Sequence, residues 1–308
     1  MKRKSFLQAG AAVIGSTLLP SSSGATESSR KLIRFAHMSD IHVKPGAVPE
    51  AGMARALQHV QSKQKVDFIV NGGDLIMDAL EADKSKTGIQ WKLAKDILLK
   101  ETSLPIYHTI GNHDIWGWFI KDNKPVNDPA FGKSWALETL GMKNRYYSFT
   151  REKWHFIVLD STQLNPAGGY IALLDPEQLE WLRNELAMVP PGLFICIISH
   201  IPILSICAGL FFNRTEQNGD LLVKRNLMHS DFLILKNIFK NYQNIKVCIS
   251  GHIHLQDSVE YLGIKYYCNG AVCGNWWHGA YQDFVPAYAV MELYDDGSCK
   301  RKIIEYDT

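Results

Sequence analysis

No Cys-x-x-Cys pair occurs among the six cysteines of this 308-residue chain (Cys196, Cys207, Cys248, Cys268, Cys273 and Cys299), which argues against a zinc–thiolate site. Neither sign of charge is in excess. Lys and Arg total 33 against 31 Asp and Glu, so a general nucleic-acid binder is disfavoured. Long hydrophobic runs are also missing. The uncharged, mostly apolar run at 9–19 falls short of the ~20 helical residues a bilayer requires, and no later apolar run is long enough, so no transmembrane segment is expected. There is no internal repeat, and low complexity is confined to a Ser-rich stretch at 21–29. What remains is an ordinary globular composition, 46% hydrophobic, with length for one large core or two smaller ones.

The first residues are not fold material. Lys2, Arg3 and Lys4 form a basic n-region, 9–19 an apolar centre, and Ser23-Gly24-Ala25 a small-residue cleavage site. They read as a signal peptide over 1–25, cut near Ala25, with a linker at 26–31. The segment from Arg3 to Leu7 resembles a twin-arginine export signal with Lys4 in place of the second arginine. The expected location is periplasmic or secreted. Loss of 1–25 removes three basic and no acidic residues, leaving 30 against 31. Export permits a disulfide, and Cys268 with Cys273 is the pair to consider. Cys196 and Cys248 lie inside apolar runs and read as small hydrophobes.

From residue 32 apolar runs at 32–38, 66–70 and 105–110 alternate with helical stretches at 51–64 and 84–100. The second helix puts Ile89, Leu93, Ile97 and Leu98 on one face. This alternation argues for parallel strands with right-handed crossovers. Later strands are expected at 146–150, 155–160, 193–199, 245–249, 259–262, 265–269, 287–293 and 300–305. Helices are expected at 133–140, 176–186 (opened by Asp175-Pro176) and 228–240. Residues 201–226 read as a long irregular loop, either a lid or a variable insert.

Five apolar runs end in metal-type residues. They are Asp40 and His42, then Gly73-Asp74, then Gly111-Asn112-His113-Asp114, then His200, then Gly251-His252-Ile253-His254. Open α/β sheets place ligand sites at this strand edge. Carboxylate, imidazole and amide oxygen suit Mn, Fe, Zn or Ni. Seven such donors are enough for two ions, and one Asp can bridge both. Two ions ~3.5–4 Å apart clamp a phosphoryl group for in-line displacement. Taken singly, Asp40 or Asp74 fits a helix cap, and His200 a lone histidine before a Pro-containing turn. The ordered set is harder to explain that way.

The order D-x-H, G-D, G-N-H-D, H, G-H-x-H resembles the calcineurin-like metallophosphoesterase superfamily over essentially all of 32–270. The resemblance implies an α/β fold: a four-layer α-β-β-α sandwich of two mixed sheets, with the metal site at the carboxyl ends of the strands, as one domain over 32–308. It implies two divalent ions (Mn, Fe, Zn or Ni). Asp40, His42 and His254 would hold the first, Asn112, His200 and His252 the second, and Asp74 would bridge them. A hydroxide between the metals would attack phosphorus. His113 would protonate the leaving oxygen or stabilise phosphoryl charge, with Asp114 orienting it. Met77 stands where the purple acid phosphatase branch carries an iron-binding Tyr, so divalent metals are expected. The run Asp74-Leu75-Ile76-Met77-Asp78 is similar in form to the cyclic-nucleotide phosphodiesterase branch.

Specificity must come from loops around the metals. Trp116, Trp118 and Phe119 follow the Gly-Asn-His-Asp turn, Trp276 and Trp277 lie in a late turn, and 207–212 supplies more aromatic surface. These are candidate substrate walls; the other reading is that they pack beneath their loops. Lys121, Lys124 and Arg214 are among the few basic residues of the candidate loops, which favours a diester over a monoester dianion. The expectation is an exported phosphoesterase acting on a small phosphoester, a phosphodiester before a phosphomonoester. A non-catalytic ligand-binding protein on the same fold is the alternative, and all seven ligand positions being present argues against it.

Overall fold

In the computed structural model, residues 29–212 and 214–306 are described. The leader expected at 1–25 lies outside them. The chain begins with β1 (Lys31–Met38), α1 (Ala47–His59), β2 (Phe68–Asn71), α2 (Lys84–Glu101) and β3 (Ile106–His108), in the predicted alternation. Then come α3 (Ser134–Leu140), β4 (Tyr147–Arg151), β5 (Trp154–Leu159), a ribbon of β6 (Thr162–Leu164) and β7 (Tyr170–Ala172), α4 (Pro176–Met188) and β8 (Phe194–Ser199). The span read as an irregular loop contains α5 (Ile206–Leu210) and a ribbon of β9 (Arg214–Thr215) and β10 (Leu221–Leu222). The chain ends with α6 (Phe232–Phe239), β11 (Ile245–Ser250), β12 (Gln256–Tyr261), β13 (Ile264–Asn269), β14 (Ala287–Tyr294) and β15 (Cys299–Glu305).

Two large sheets result, ordered β15-β14-β1-β2-β3 and β12-β13-β11-β8-β5-β4. β1, β2 and β3 run parallel, as do β5, β8, β11 and β13. Antiparallel β14 and β15 extend the first sheet, and β12 and β4 edge the second, so both are mixed. The parallel strands have both faces buried, which is why they read as continuous apolar runs. Successive side chains point to opposite faces. Phe35, Phe68, Phe156, Ile198 and Ile249 therefore fill the space between the sheets. Ala36, Met38 and Ile69 face Met53 and Trp91 of α1 and α2. Ile157, Ile195 and Ile197 face Leu182 and Leu235 of α4 and α6. Three apolar layers make four layers of structure, each fully buried Phe or Ile contributing about 1.5–3 kcal/mol relative to exposure.

Helix α2 is rotated a little from the face its periodicity predicts. Thr87, Gln90, Trp91 and Ala94 are buried, whereas Ile89 is 53% exposed. The Gln90 amide explains this: its Oε1 accepts from Asp78 N (3.0 Å) and its Nε2 donates to Asp78 O (2.9 Å). That pair fixes the helix rotation, and Leu93, Ile97 and Leu98 are left partly buried at the margin. The cysteines are all buried and free. Cys268 Sγ faces the Gly251 carbonyl (3.1 Å), and Cys273 Sγ the Gly274 carbonyl (3.6 Å). Among the described residues no helix is long and apolar enough to cross a membrane.

Candidate metal centre

The carboxyl ends of β1, β2, β3, β8 and β11 converge, and with them the seven predicted ligands. Six of the seven are buried and His252 is half-buried. Five hold left-handed backbone: Asp40 (φ 57°), His42 (49°), Asp74 (52°), His252 (72°) and His254 (59°). Non-glycine residues seldom adopt it, and such strain collects at functional sites. The glycines beside these ligands make room for them. A Cβ on Gly111 would lie 2.1 Å from both the N and Oδ1 of Asp74, and one on Gly251 2.3 Å from Asp40 Oδ2. Gly111 itself is extended (φ −91°), so what it contributes is its missing side chain.

Backbone carbonyls fix the ring nitrogens. A carbonyl only accepts, so its histidine partner must carry a proton on that nitrogen, and the other nitrogen is the one that offers a lone pair when the ring is neutral. His200 Nδ1 donates to Gly72 O (2.8 Å), leaving Nε2 at 3.2 Å from both Asp74 Oδ2 and Asn112 Oδ1. His252 Nε2 donates to Asn226 O (2.8 Å), turning Nδ1 towards His200 Nε2 (3.3 Å). His254 Nδ1 donates to Gly274 O (2.6 Å), leaving Nε2 at 3.1 Å from His42 Nε2 and 3.5 Å from Asp40 Oδ1. His42 Nε2 is 3.7 Å from Asp74 Oδ2. Lone pairs converging at these distances repel unless a proton or cation lies among them. Groups of donor atoms within 4.8 Å of one another form on both sides of Asp74: Asp74, His200 and His252; His42, Asp74 and His113; His42, His254 and Cys273. The donor set thus fits bound cations, and Asp74 is where the two halves meet.

Residues 33–256 match the family model described as calcineurin-like phosphoesterase. The chain belongs to the calcineurin-like phosphoesterase family. This metal-dependent phosphoric ester hydrolase is similar to a 3',5'-cyclic-nucleotide phosphodiesterase of Nostoc sp., at 25% identity over 88% of this chain and 91% of the relative. It is also similar to the 3',5'-cyclic adenosine monophosphate phosphodiesterase CpdA of Haemophilus influenzae, at 22% identity over 84% and 82%. Its fold is shared with a dimetal phosphatase of Danio rerio, at TM-score 0.59 and 13% identity, covering 90% of this chain and all of that one.

Electrostatics in this phosphoesterase centre are set by the ligands themselves. Burial opposes charge on Asp74, yet His200 and His113 outweigh it and hold the carboxyl well below its usual range. Burial pushes Asp40 up, partly offset by His254 and His200. At His200 burial is overcome by Asp74, and the imidazole is pushed up to about 9. Burial and His200 together lower His252 to about 3. Neither lysine nor arginine is among the principal charges acting on these described groups.

His113 is half-buried beside the ligands. Its backbone N donates to Asp74 Oδ1 (2.7 Å), its ring meets His42 edge-on at 4.8 Å, and its Nδ1 has no partner among the described residues. Asp114 does not orient it. The buried Asp114 carboxylate accepts from Leu75 N (2.9 Å), Ile76 N (3.3 Å) and Gly111 N (2.9 Å), clamping the Asp74 loop to the Gly-Asn-His-Asp turn. With its oxygens aimed at three amides, Asp114 is a brace.

The aromatic candidates separate. Trp116 is a correction: 2% exposed, it lies in the core, its indole donating to Ala82 O (3.1 Å) and meeting Trp135 edge-on at 5.4 Å. Trp118 lies under the Lys133 ammonium (5.4 Å) and against the same core. Trp277 anchors its turn, its indole N–H donating to His42 O (3.1 Å) and its ring packing on Gly52 of α1. Trp276 is presented to the ligands, 4.4 Å from the His254 ring and 6.0 Å from His42. Both tryptophans are left-handed, at φ 47° and 71°. Phe119 stacks on Tyr170 at 6.1 Å, and Tyr170 meets the His252 ring at 6.2 Å. The sequence reading passed over Tyr170, Tyr281 and Asn226. Tyr281 lies 5.8 Å from His254 and 5.4 Å from Trp276. No local motif marks any of the three.

Proposed function

We propose that this protein is an exported phosphodiesterase that uses two divalent ions to hydrolyse a small diester of the 3',5'-cyclic-nucleotide class. The observation that carries the reading is the inward-facing set of imidazole nitrogens and carboxylates on both sides of Asp74, with neither lysine nor arginine among the principal charges acting on that carboxylate. A monoester dianion calls for extra cations; a diester monoanion needs fewer. The names of the curated relatives point the same way, and Trp276 offers a planar group a face beside His254. The basic n-region and apolar run before Ala25 support export.

Asp40, His42, His254 and Asp74 would hold one ion and Asp74, Asn112, His200 and His252 the other. Bound ions supply Lewis acidity towards the phosphoryl oxygens and lower the pKa of water. The carbonyls of Gly72, Asn226 and Gly274 keep the imidazoles in the ligating tautomer. The half-buried His113, tied through its backbone to Asp74, delivers a proton to the leaving oxygen. Trp276 orients the leaving group. The test is Mn²⁺-reconstituted protein assayed on bis-p-nitrophenyl phosphate, p-nitrophenyl phosphate and 3',5'-cyclic AMP. Diester turnover above monoester turnover is expected; ready cleavage of the monoester with the diester untouched refutes the reading. The N-terminal sequence of the exported product is expected to begin near Thr26.

A further inference from the structure

The ribbon β6–β7 has no part in ligating metal, yet it ends beside the centre. It extends from the carboxyl end of β5 and pairs Leu164 with Tyr170. Its position is fixed at two points: Ala172 N donates to Arg225 O (2.8 Å), and Ser230 N donates to Ala172 O (2.8 Å). These bonds hold Tyr170 against the 225–226 backbone, where Asn226 O accepts from His252 Nε2. Tyr170 is thus placed on the half-buried side of the ligand cluster, where His252 and His113 also reach the surface.

Its ring is confined by Phe119 (6.1 Å, near-parallel) and His252 (6.2 Å, edge-on). Its hydroxyl faces the Asn226 side chain, with Asp74 and Asp40 near enough for their charges to act on it. An amide N–H donated from Asn226 to the phenol oxygen would leave the phenol proton free to donate. Among the described residues no hydrogen bond is donated by this hydroxyl, so at the rim of a site for phosphoryl oxygens its O–H is open to an acceptor.

We propose that Tyr170 is a further substrate-contacting residue, its O–H donating to a non-bridging phosphoryl oxygen on the His200–His252 side, with Asn226 as the residue that positions it. The inference rests on the phosphoesterase reading above and adds a donor where the site has few cations. Tyr170→Phe keeps the ring between Phe119 and His252 and removes only the hydroxyl. In Mn²⁺-reconstituted protein, metal content and melting temperature are expected to stay at the wild-type values. Affinity for inorganic phosphate, read by calorimetry, and kcat/KM on bis-p-nitrophenyl phosphate are each expected to fall about 10-fold or more, the range for a hydrogen bond to a charged group. Asn226→Ala, which keeps the carbonyl to His252, is expected to show a smaller loss of the same kind. Phosphate affinity and turnover within twofold of wild type in Tyr170→Phe overturn the proposal. So does loss of metal in Tyr170→Phe accompanied by wild-type phosphate binding in Asn226→Ala, which makes the tyrosine a support for His252. If wild type cleaves no diester while Tyr170→Phe still weakens phosphate binding, the diester reading fails and the Tyr170 assignment stands.

Discussion

Gly52 lies inside α1, where alanine is ordinarily the better residue by about 1 kcal/mol. Here we expect Gly52→Ala to destabilise. The added Cβ would sit 2.0 Å from Trp277 Cζ3, 2.6 Å from Cε3 and 2.7 Å from Cη2. The indole has little room to yield. Its backbone N donates to Cys273 O (2.9 Å) and its Nε1 to His42 O (3.1 Å). Overpacking of this kind costs about 1–3 kcal/mol, and loss of the bond to His42 O about 1 kcal/mol. Against the helix gain of about 1 kcal/mol, the net expectation is a loss of about 1–3 kcal/mol. Moving Trp277 also moves its neighbour Trp276 and the carbonyl of His42, so diester turnover should fall together with stability. Urea denaturation, run beside the bis-p-nitrophenyl phosphate assay, measures both. A Gly52→Ala protein as stable as wild type or more so, with full activity, refutes the claim that this glycine exists to admit Trp277.

Removing the His113 imidazole leaves the Asp74 bond intact, because that bond comes from the His113 backbone. His113→Ala should therefore keep its metal content while turnover drops about 10²–10⁴-fold, the range for a lost general acid; unchanged turnover removes His113 from the chemistry. Asp114→Ala leaves three buried amides without an acceptor. At about 1–3 kcal/mol for a stranded buried group, the loss should show as a midpoint shift in urea and as weakened metal retention, and wild-type stability would refute the brace. His37 is fully buried, and burial, with His200, lowers its imidazole to about 3. The unfolded chain binds this proton near pH 6.5 and the folded chain does not, so the stability tied to His37 is whole above about 6.5 and lost as pH falls towards 3. His37→Asn should flatten the pH dependence between 6 and 4 by up to about 1.4 kcal/mol per pH unit, and equal slopes in the two proteins would count against it.

The strands were legible because each is a short apolar run stopped by Gly, Asp or His, and burial on both faces makes such runs continuous. The helix faces were less so. Ile89 satisfies the period of α2 yet is exposed, because the polar Gln90 found a backbone partner at Asp78, a contact periodicity does not register. Trp116 and Trp276 looked alike as residues after a turn. One has its indole N–H bonded inside the core at Ala82, and the other lies against His254.

The sequence by itself determined the family, the order of the strands along the chain and the identity of the donors at their ends, since these depend on local runs and short spacings. Only the tertiary structure decided which way each donor faces. Which imidazole nitrogen faces inward is set by carbonyls up to 128 residues away, as with His200 and Gly72. Whether Asp114 serves chemistry or the backbone is set by the amides within its reach. That Tyr170 and Asn226 lie beside His252 follows from a ribbon pinned there by backbone bonds. Those assignments rest on contacts between segments far apart in the chain, and no local pattern of residues encodes them.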